Sequence, residues 1–293
     1  MRRLIVTAAL GVALGCVGSG DQPSNVHDLR VLAMQADPPE RYLADGIPYF
    51  KVRALIGDAP GVRRDKSFRF STCPKPDRLR CEGLEQEVVL GEGTTTGELA
   101  EVELIAPTDE AFFKKAIEAD AYRGFGGLPL LVALRVGADA EQVWGAKRLV
   151  LQLPPPLSVP GQAANLNPPE PVILLNEAPL PAASRVELRG AEISLDLAEP
   201  APGAKETYLV PTFDGATREL VEAWQFSWFT TKGHFSPETT GGFNPLTQED
   251  EPAKTKLVIP AGEEPGDLVI YVVVRDGRGG ESWTKRAATW LGP

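Results

Sequence analysis

The sequence predicts an all-β protein built as two tandem antiparallel β-sandwich domains, with one short helix inserted in the first. Three observations carry this. Gly (29) and Pro (27) together fill about a fifth of 293 residues, and both are poor helix formers. Apolar residues recur with period two in runs separated by Gly and Pro clusters, the pattern of half-buried strands. The run pattern also occurs twice along the chain. The apolar content of 43% is enough for a packed core. The net charge of −10 argues against a phosphate-backbone ligand, so no nucleic acid partner is expected.

Residues 1–15 read as a signal peptide. Arg2 and Arg3 precede an apolar run over 4–14, which is shorter than the roughly 20 residues a bilayer-spanning helix needs. The ending Ala13-Leu14-Gly15-Cys16 resembles the bacterial lipobox, although that motif usually has Leu where Ala13 stands. The resemblance implies cleavage before Cys16, diacylglycerol on its sulfur and a palmitate-type acyl chain on its new amine. Each buried methylene contributes about 0.8 kcal/mol, so two or three chains would hold the protein at a membrane. The other reading is an ordinary signal peptide cut nearby, with Cys16 incidental. Residues 16–26 are expected to form the lipidated Cys and a flexible tether. Cleavage removes two positive charges and no acid, taking the formal charge to −12. The lipid, rather than charge, would attach so acidic a body to anionic lipid. Val17 is not the Asp that retains some lipoproteins at the inner membrane, which favours the outer membrane.

The first domain is expected over 27–153. Phe50, Val52, Ala54 and Ile56 alternate with Lys51, Arg53 and Leu55, placing one face in a core and the other toward water. Cys73 and Cys81 close a short loop, and in an exported protein a local disulfide is expected between them. A free thiol pair is the next reading. No third Cys and no His lies nearby to complete a zinc site. The helix is expected between Thr108 and Gly124. Thr108 would be its cap, and Phe112, Phe113, Ala116 and Ile117 its apolar face. It would pack over one open end of the sandwich.

A Pro-rich linker over 154–166 follows, with consecutive prolines at 154–156 that favour an extended form. It should limit the angle between the domains without freezing it. The second domain is expected over 167–293. Its Ile193, Leu195 and Leu197 alternate with polar residues, as do Trp224, Phe226 and Trp228. The repeat is clearest where Leu130-Leu131-Val132-Ala133-Leu134-Arg135 lies opposite Ile270-Tyr271-Val272-Val273-Val274-Arg275. Each is followed by a Gly turn, Glu and Trp, and a basic pair.

The final segment, Val272 to Val274 with Arg275-Asp276-Gly277-Arg278-Gly279-Gly280, resembles the closing hairpin of bacterial immunoglobulin-like and PKD-like domains. Trp228 stands where such domains often keep a core Trp. The opening Asp28-Leu29-Arg30-Val31-Leu32 with Asp37-Pro38-Pro39-Glu40 is similar to surface lipoproteins of myxobacteria. The resemblance implies an immunoglobulin-like fold and an envelope location, and no activity.

The search for chemistry yields no catalytic residue. There are two histidines, His27 and His234, and no G-x-S-x-G, H-E-x-x-H, P-loop or C-x-x-C. Forty acidic residues leave a carboxylate pair conceivable. Glu249-Asp250-Glu251 reads as a solvated loop or a contributor to a calcium site, without EF-hand spacing. Phe229, Phe235 and Phe243 are the candidates for an exposed binding loop, the alternative being a loop packed on its own sandwich. No cofactor or metal is expected beyond the covalent lipid. The expected function is a non-catalytic, lipid-anchored envelope protein acting in binding, adhesion or assembly. Its partners would be the membrane and an envelope protein or polysaccharide. The alternatives are an exported carboxylate-based hydrolase acting on polysaccharide, and a passive stalk.

Overall fold

The structure, a computed structural model, describes residues 22–107, 109–154, 161–211 and 216–293. Cys16, the signal segment, Thr108 and residues 155–160 of the Pro-rich linker therefore lie outside the described residues. Among the described residues the chain is all-β with a single α-helix, Glu110–Ala119. No described helix is long and apolar enough to cross a membrane.

Two hydrophobic cores form in sequence order. The first is built from residues between Leu29 and Leu153, around Phe50, Phe70, Leu134 and Leu151. The second is built from residues between Ile173 and Trp290, around Trp228, Leu195 and Leu257. Each core lies between two sheets. In the first half, the strands Arg30–Asp37, Tyr49–Gly57 and Leu99–Ile105 form a three-stranded sheet. It faces a five-stranded sheet ordered Glu40–Tyr42, Val143–Gln152, Leu128–Val136, Lys66–Thr72 and Val88–Thr95. In the second half, the corresponding five-stranded sheet runs Val186–Leu188, Glu281–Trp290, Gly266–Arg275, Gln225–Thr230 and Thr239–Gly241.

The two five-stranded sheets share one plan. Each has a short edge strand parallel to the second strand of the last hairpin. Each then crosses that hairpin to an antiparallel strand carrying Phe70 or Trp228. The repeated runs at 130–135 and 270–275 occupy equivalent hairpins. The reason is local: long β-branched and leucine runs suit strands buried in the middle of a sheet, and the Gly turns after them close the hairpins.

The helix forms where its apolar spacing predicts, and its cap differs. The Asp109 carboxylate accepts from the Phe112 amide (2.8 Å), so Asp109 is the N-cap. Phe112 and Ala116 are buried in the first core. The helix ends at Ala119, short of Gly124, because Asp120 leaves the helical region and its carboxylate accepts from the Gly124 amide.

The Cys73–Cys81 disulfide is present, with the two Cα atoms 5.5 Å apart. Both residues are buried against Ala133 and Leu84. Reduction under native conditions should therefore be slow. The Cys73→Ser/Cys81→Ser double variant should lose about 2–3 kcal/mol, the closure entropy of a short loop. Urea unfolding of oxidised and double-variant protein checks this. An unchanged midpoint would contradict it.

Strand parity required one correction. The sequence places Lys51, Arg53 and Leu55 on a face toward water. The structure buries Leu55 with Leu32 and Ala33 from the first half, and with Val26 from the segment before it, against Tyr271 and Val273 from the second. The outward faces of two sheets meet each other, so both parities of these central strands are apolar or hydrogen-bonded. The expected tether at 16–26 is also shorter than predicted. Ser24 and Val26 are buried, and the chain there is bonded to the second half.

Candidate functional site

The structure gathers its buried ionisable groups where the two halves meet. The hairpin turn after Arg275 organises one end of that junction. The Asp276 carboxylate accepts from the backbone amides of Arg278 (2.7 Å), Gly279 (2.9 Å) and Gly280 (2.9 Å). It also accepts from the Asn165 side-chain amide (2.9 Å). Gly280 is required here because a Cβ would overlap the Asp276 carboxylate and the Leu166 carbonyl. The turn signal read in the sequence is thus also a fully engaged, buried carboxylate.

This turn aims Arg278 into a set of acids from both halves. Its guanidinium pairs with Glu40 (3.4 Å), Glu206 (3.2 Å) and Glu222 (3.3 Å) and lies 4.7 Å from the centroid of the Tyr208 ring. Glu40 belongs to the first half, and also accepts from the Asn165 amide (2.7 Å) and from Gln152. Glu222 accepts from the Trp224 indole (3.1 Å) and the Glu206 amide (3.1 Å). Burial raises the Glu222 carboxyl above the ordinary range, while those hydrogen bonds oppose the shift. Tyr42 is raised by burial and by the charge on Glu40.

A second ionic contact crosses the junction nearby. Lys147 and Glu281 are both buried and pair at 3.0 Å, and Arg275 meets the same carboxylate at 2.8 Å. Burial pulls the Lys147 ammonium down, and the Glu281 charge resists. Gln35 donates to the Ser282 hydroxyl (3.0 Å), and Arg53 stacks over Trp283 at 5.4 Å from its centroid. The segment expected to be a semi-rigid linker ends in this network. Asn165 is fully buried, and Asn167 donates to the Ala36 carbonyl (2.7 Å) and accepts from the Glu281 amide (3.0 Å). That end of the linker is tied to both halves, because Asn165 donates to the Glu40 and Asp276 carboxylates and Asn167, just past the linker, satisfies backbone groups of both halves.

At the opposite end the halves leave an open cleft of about 750 Å³. Asp58, Lys66 and Glu98 line it from the first half, with Arg185, Asp267 and Tyr271 from the second. Each of its carboxylates is engaged. Asp58 pairs with Arg64 (3.1 Å) and Lys66 (3.6 Å). Glu98 accepts from the Tyr271 hydroxyl (2.9 Å) and Lys285 (2.6 Å). The Arg185 hydrogen bond holds the Asp267 carboxyl below its ordinary value. Burial, then Glu98, pushes the Tyr271 phenol up, so it stays protonated and donating. Among the described residues no cluster of three His, Cys, Asp or Glu residues is arranged to hold a metal ion.

The chain matches no family model and no curated protein. Three solved structures illustrate its likenesses. A red sea bream transglutaminase is 10% identical with a TM-score of 0.26, covering 90% of this chain and 32% of that one. Dimeric latent PorU from Porphyromonas gingivalis is 12% identical with a TM-score of 0.24, covering 92% and 24%. The chicken CNTN1 FN1–FN3 domains are 10% identical with a TM-score of 0.21, covering 91% and 69%. This chain thus spans about a third and a quarter of the first two. The β-sandwich class rests on the strand order above.

The structure does not unite the three aromatic candidates. Phe235 is in the second core, 5.4 Å from Trp228 between ring centroids. Phe229 does point opposite to Trp228, as parity predicts, but that face packs into the junction. Phe243 alone is exposed, on a two-residue strand paired with Glu249–Asp250. Within the acidic run beside it, Asp250 pairs with Lys205 and Glu251 accepts from Asn244. Arg278 and Lys147 were not singled out in the sequence. A lone Arg in a turn and a Lys in an alternating strand carry no local mark of burial. A Gly-Arg-Gly-Gly turn after a buried strand was the available signal for Arg278.

Proposed function

We propose that this chain is a non-catalytic, lipid-anchored envelope protein in which two immunoglobulin-like sandwiches act as one binding or assembly module. The observation that carries the reading is the junction. Its buried acids Glu40, Glu222, Asp276 and Glu281 are each bound by cations or amides that join the halves. Such a network costs desolvation and returns geometric definition, which suits a protein that must present surfaces in fixed relation. The lipobox-like segment ending at Cys16 supports an anchor, and Val17 supports the outer membrane. The partner would be an envelope protein or polysaccharide meeting the exposed faces. Within the domain reading, residues 27–153 and 167–293 form the two sandwiches.

The alternative, a carboxylate-based hydrolase, would have to use the open cleft. Its acids already carry ion-pair or phenol partners, which is the arrangement of a structural groove rather than of an acid and a base held apart.

Detergent phase partitioning tests the anchor. Full-length protein exported in a bacterial host should enter the detergent phase, and Cys16→Ser should remain aqueous. If both remain aqueous the lipid reading fails. Release of reducing ends from cell-envelope polysaccharide by the purified protein would overturn the non-catalytic reading.

A further inference from the structure

The N-terminal segment does not leave the protein from the half in which the chain begins its first long strand. Ser24, Asn25 and Val26 lie along the second half at Thr230. The Val26 amide donates to the Thr230 carbonyl (2.7 Å), and the Thr230 amide donates to the Ser24 carbonyl (2.8 Å). The Phe235 amide donates to the Ser24 hydroxyl (2.9 Å). Val26 is fully buried between the halves, beside Leu32, Leu55 and Tyr271. Only then does the chain enter the first half at Arg30. Residues 24–26 are thus a strap held by main-chain hydrogen bonds and a buried side chain. Gln22 and Pro23, just before it, are exposed.

The strap and the Arg278 network mark opposite ends of one strand. In Gln225–Thr230, Gln225 pairs with Arg275 beside the hairpin turn, while Thr230 pairs with Ile270 and receives the strap. Five strand steps of about 3.4 Å separate the two ends by about 17 Å. Lys232 and Glu264 belong to the strap end, where the Lys232 ammonium donates to the Glu264 carbonyl (2.5 Å). Phe125 belongs to the other end. The neighbouring Gly126 carbonyl accepts from Gln152 (3.1 Å), which donates to Glu40, the partner of Arg278.

We infer that the strap end, bearing Thr230, Lys232 and Glu264, is the end of this protein that faces the lipid surface, with the Arg278 end and Phe125 directed away from it. This rests on the lipid-anchor reading above. Ser24 lies eight chain steps after Cys16. Any chain of eight steps reaches at most about 29 Å, and a flexible chain of that length would span about 16 Å. That coil length is comparable to the separation of the two ends, so the point of attachment sets which end lies nearer. The formal charge of −12 after cleavage works in the same direction by disfavouring a body lying flat on anionic lipid.

The experiment uses full-length lipidated protein purified from membranes. It is reconstituted into phosphatidylethanolamine/phosphatidylglycerol vesicles carrying a headgroup-attached acceptor dye. A donor dye is placed on a single added cysteine, at Glu264→Cys or at Phe125→Cys. Both positions are exposed, and the native Cys73 and Cys81 are tied in the disulfide. Flotation is read separately from energy transfer. The expected result is flotation of both variants, with transfer at 264 about twofold or more above that at 125, the consequence of an offset of about 17 Å. Ten Gly/Ser residues inserted between Gly20 and Asp21 should shrink that ratio toward one. Flotation with equal transfer, or with stronger transfer at 125, overturns the orientation while leaving the anchor standing. Failure of the unsubstituted protein to float overturns the anchor itself, and the orientation with it.

Discussion

Arg278→Ala will destabilise the folded protein by about 3–5 kcal/mol at neutral pH, the cost of breaking a buried charge network by removing one partner. The guanidinium is 13% exposed, and Glu40 and Glu222 beside it are 6% and 2% exposed, so water cannot replace it without opening the junction. Three carboxylates would be left facing one another. The loss has a pH signature. Glu222 already has a folded-state value above the ordinary carboxyl range. A raised value means its contribution to stability is fully present below the unfolded value of about 4.3 and disappears as pH rises through the folded value. Without Arg278 that folded value climbs further, so the deficit should be largest at pH 7–8 and shrink as pH falls toward 5. Chemical denaturation at several pH values checks both size and slope. A deficit that is constant across that range would show that packing on Tyr208, rather than charge, is what Arg278 supplies.

Lys147→Met will cost about 3 kcal/mol, while Lys147→Met combined with Glu281→Leu will cost much less, because a lone buried charge is worse than an apolar pair. The two side chains are 6% and 7% exposed and come from the equivalent last hairpins of the two halves. Arg275 moderates the single loss by keeping its own contact with Glu281. In the double variant Arg275 retains the Ser227 hydroxyl and partial exposure to water. The depressed Lys147 value sets the sign for pH. A cation stabilised less in the folded state than in water favours folding more as it loses its proton, so the wild type should gain on the double variant toward alkaline pH. A double-mutant cycle by urea denaturation measures the coupling. Additive single losses would mean that the pair is not coupled across the junction.

Both predictions concern residues whose roles the sequence did not display, and the reason is the same in each case. Period-two alternation shows which residues share a strand face. It does not show whether the second face meets water or another sheet. Leu55 and Tyr271 look like outward residues of ordinary strands and become a core only because two outward faces are apposed. Phe229 has the predicted parity, yet its face is covered, which removes it from the proposed binding loop. Ser24 and Asn25 have the composition of a tether. Main-chain hydrogen bonding to Thr230, which composition cannot encode, makes them part of the body. By contrast, the disulfide was legible because two cysteines only eight residues apart, in a chain whose opening reads as an export signal, leave a local pairing as the simplest state, and the structure forms it.

The sequence by itself determined the all-β class, the strands around Phe50 and Trp228, the helix face of Phe112 and Ala116, and the Cys73–Cys81 pair. These follow from contacts between residues close in the chain or from periodicity within one element. Only the tertiary structure decided that the two sandwiches share a third, smaller core, that Arg278 and Lys147 bind acids more than fifty residues away, and that the N-terminal strap belongs to the second half. Those depend on which faces meet. A buried charge is stable only where distant segments bring it a partner, and no local pattern records that.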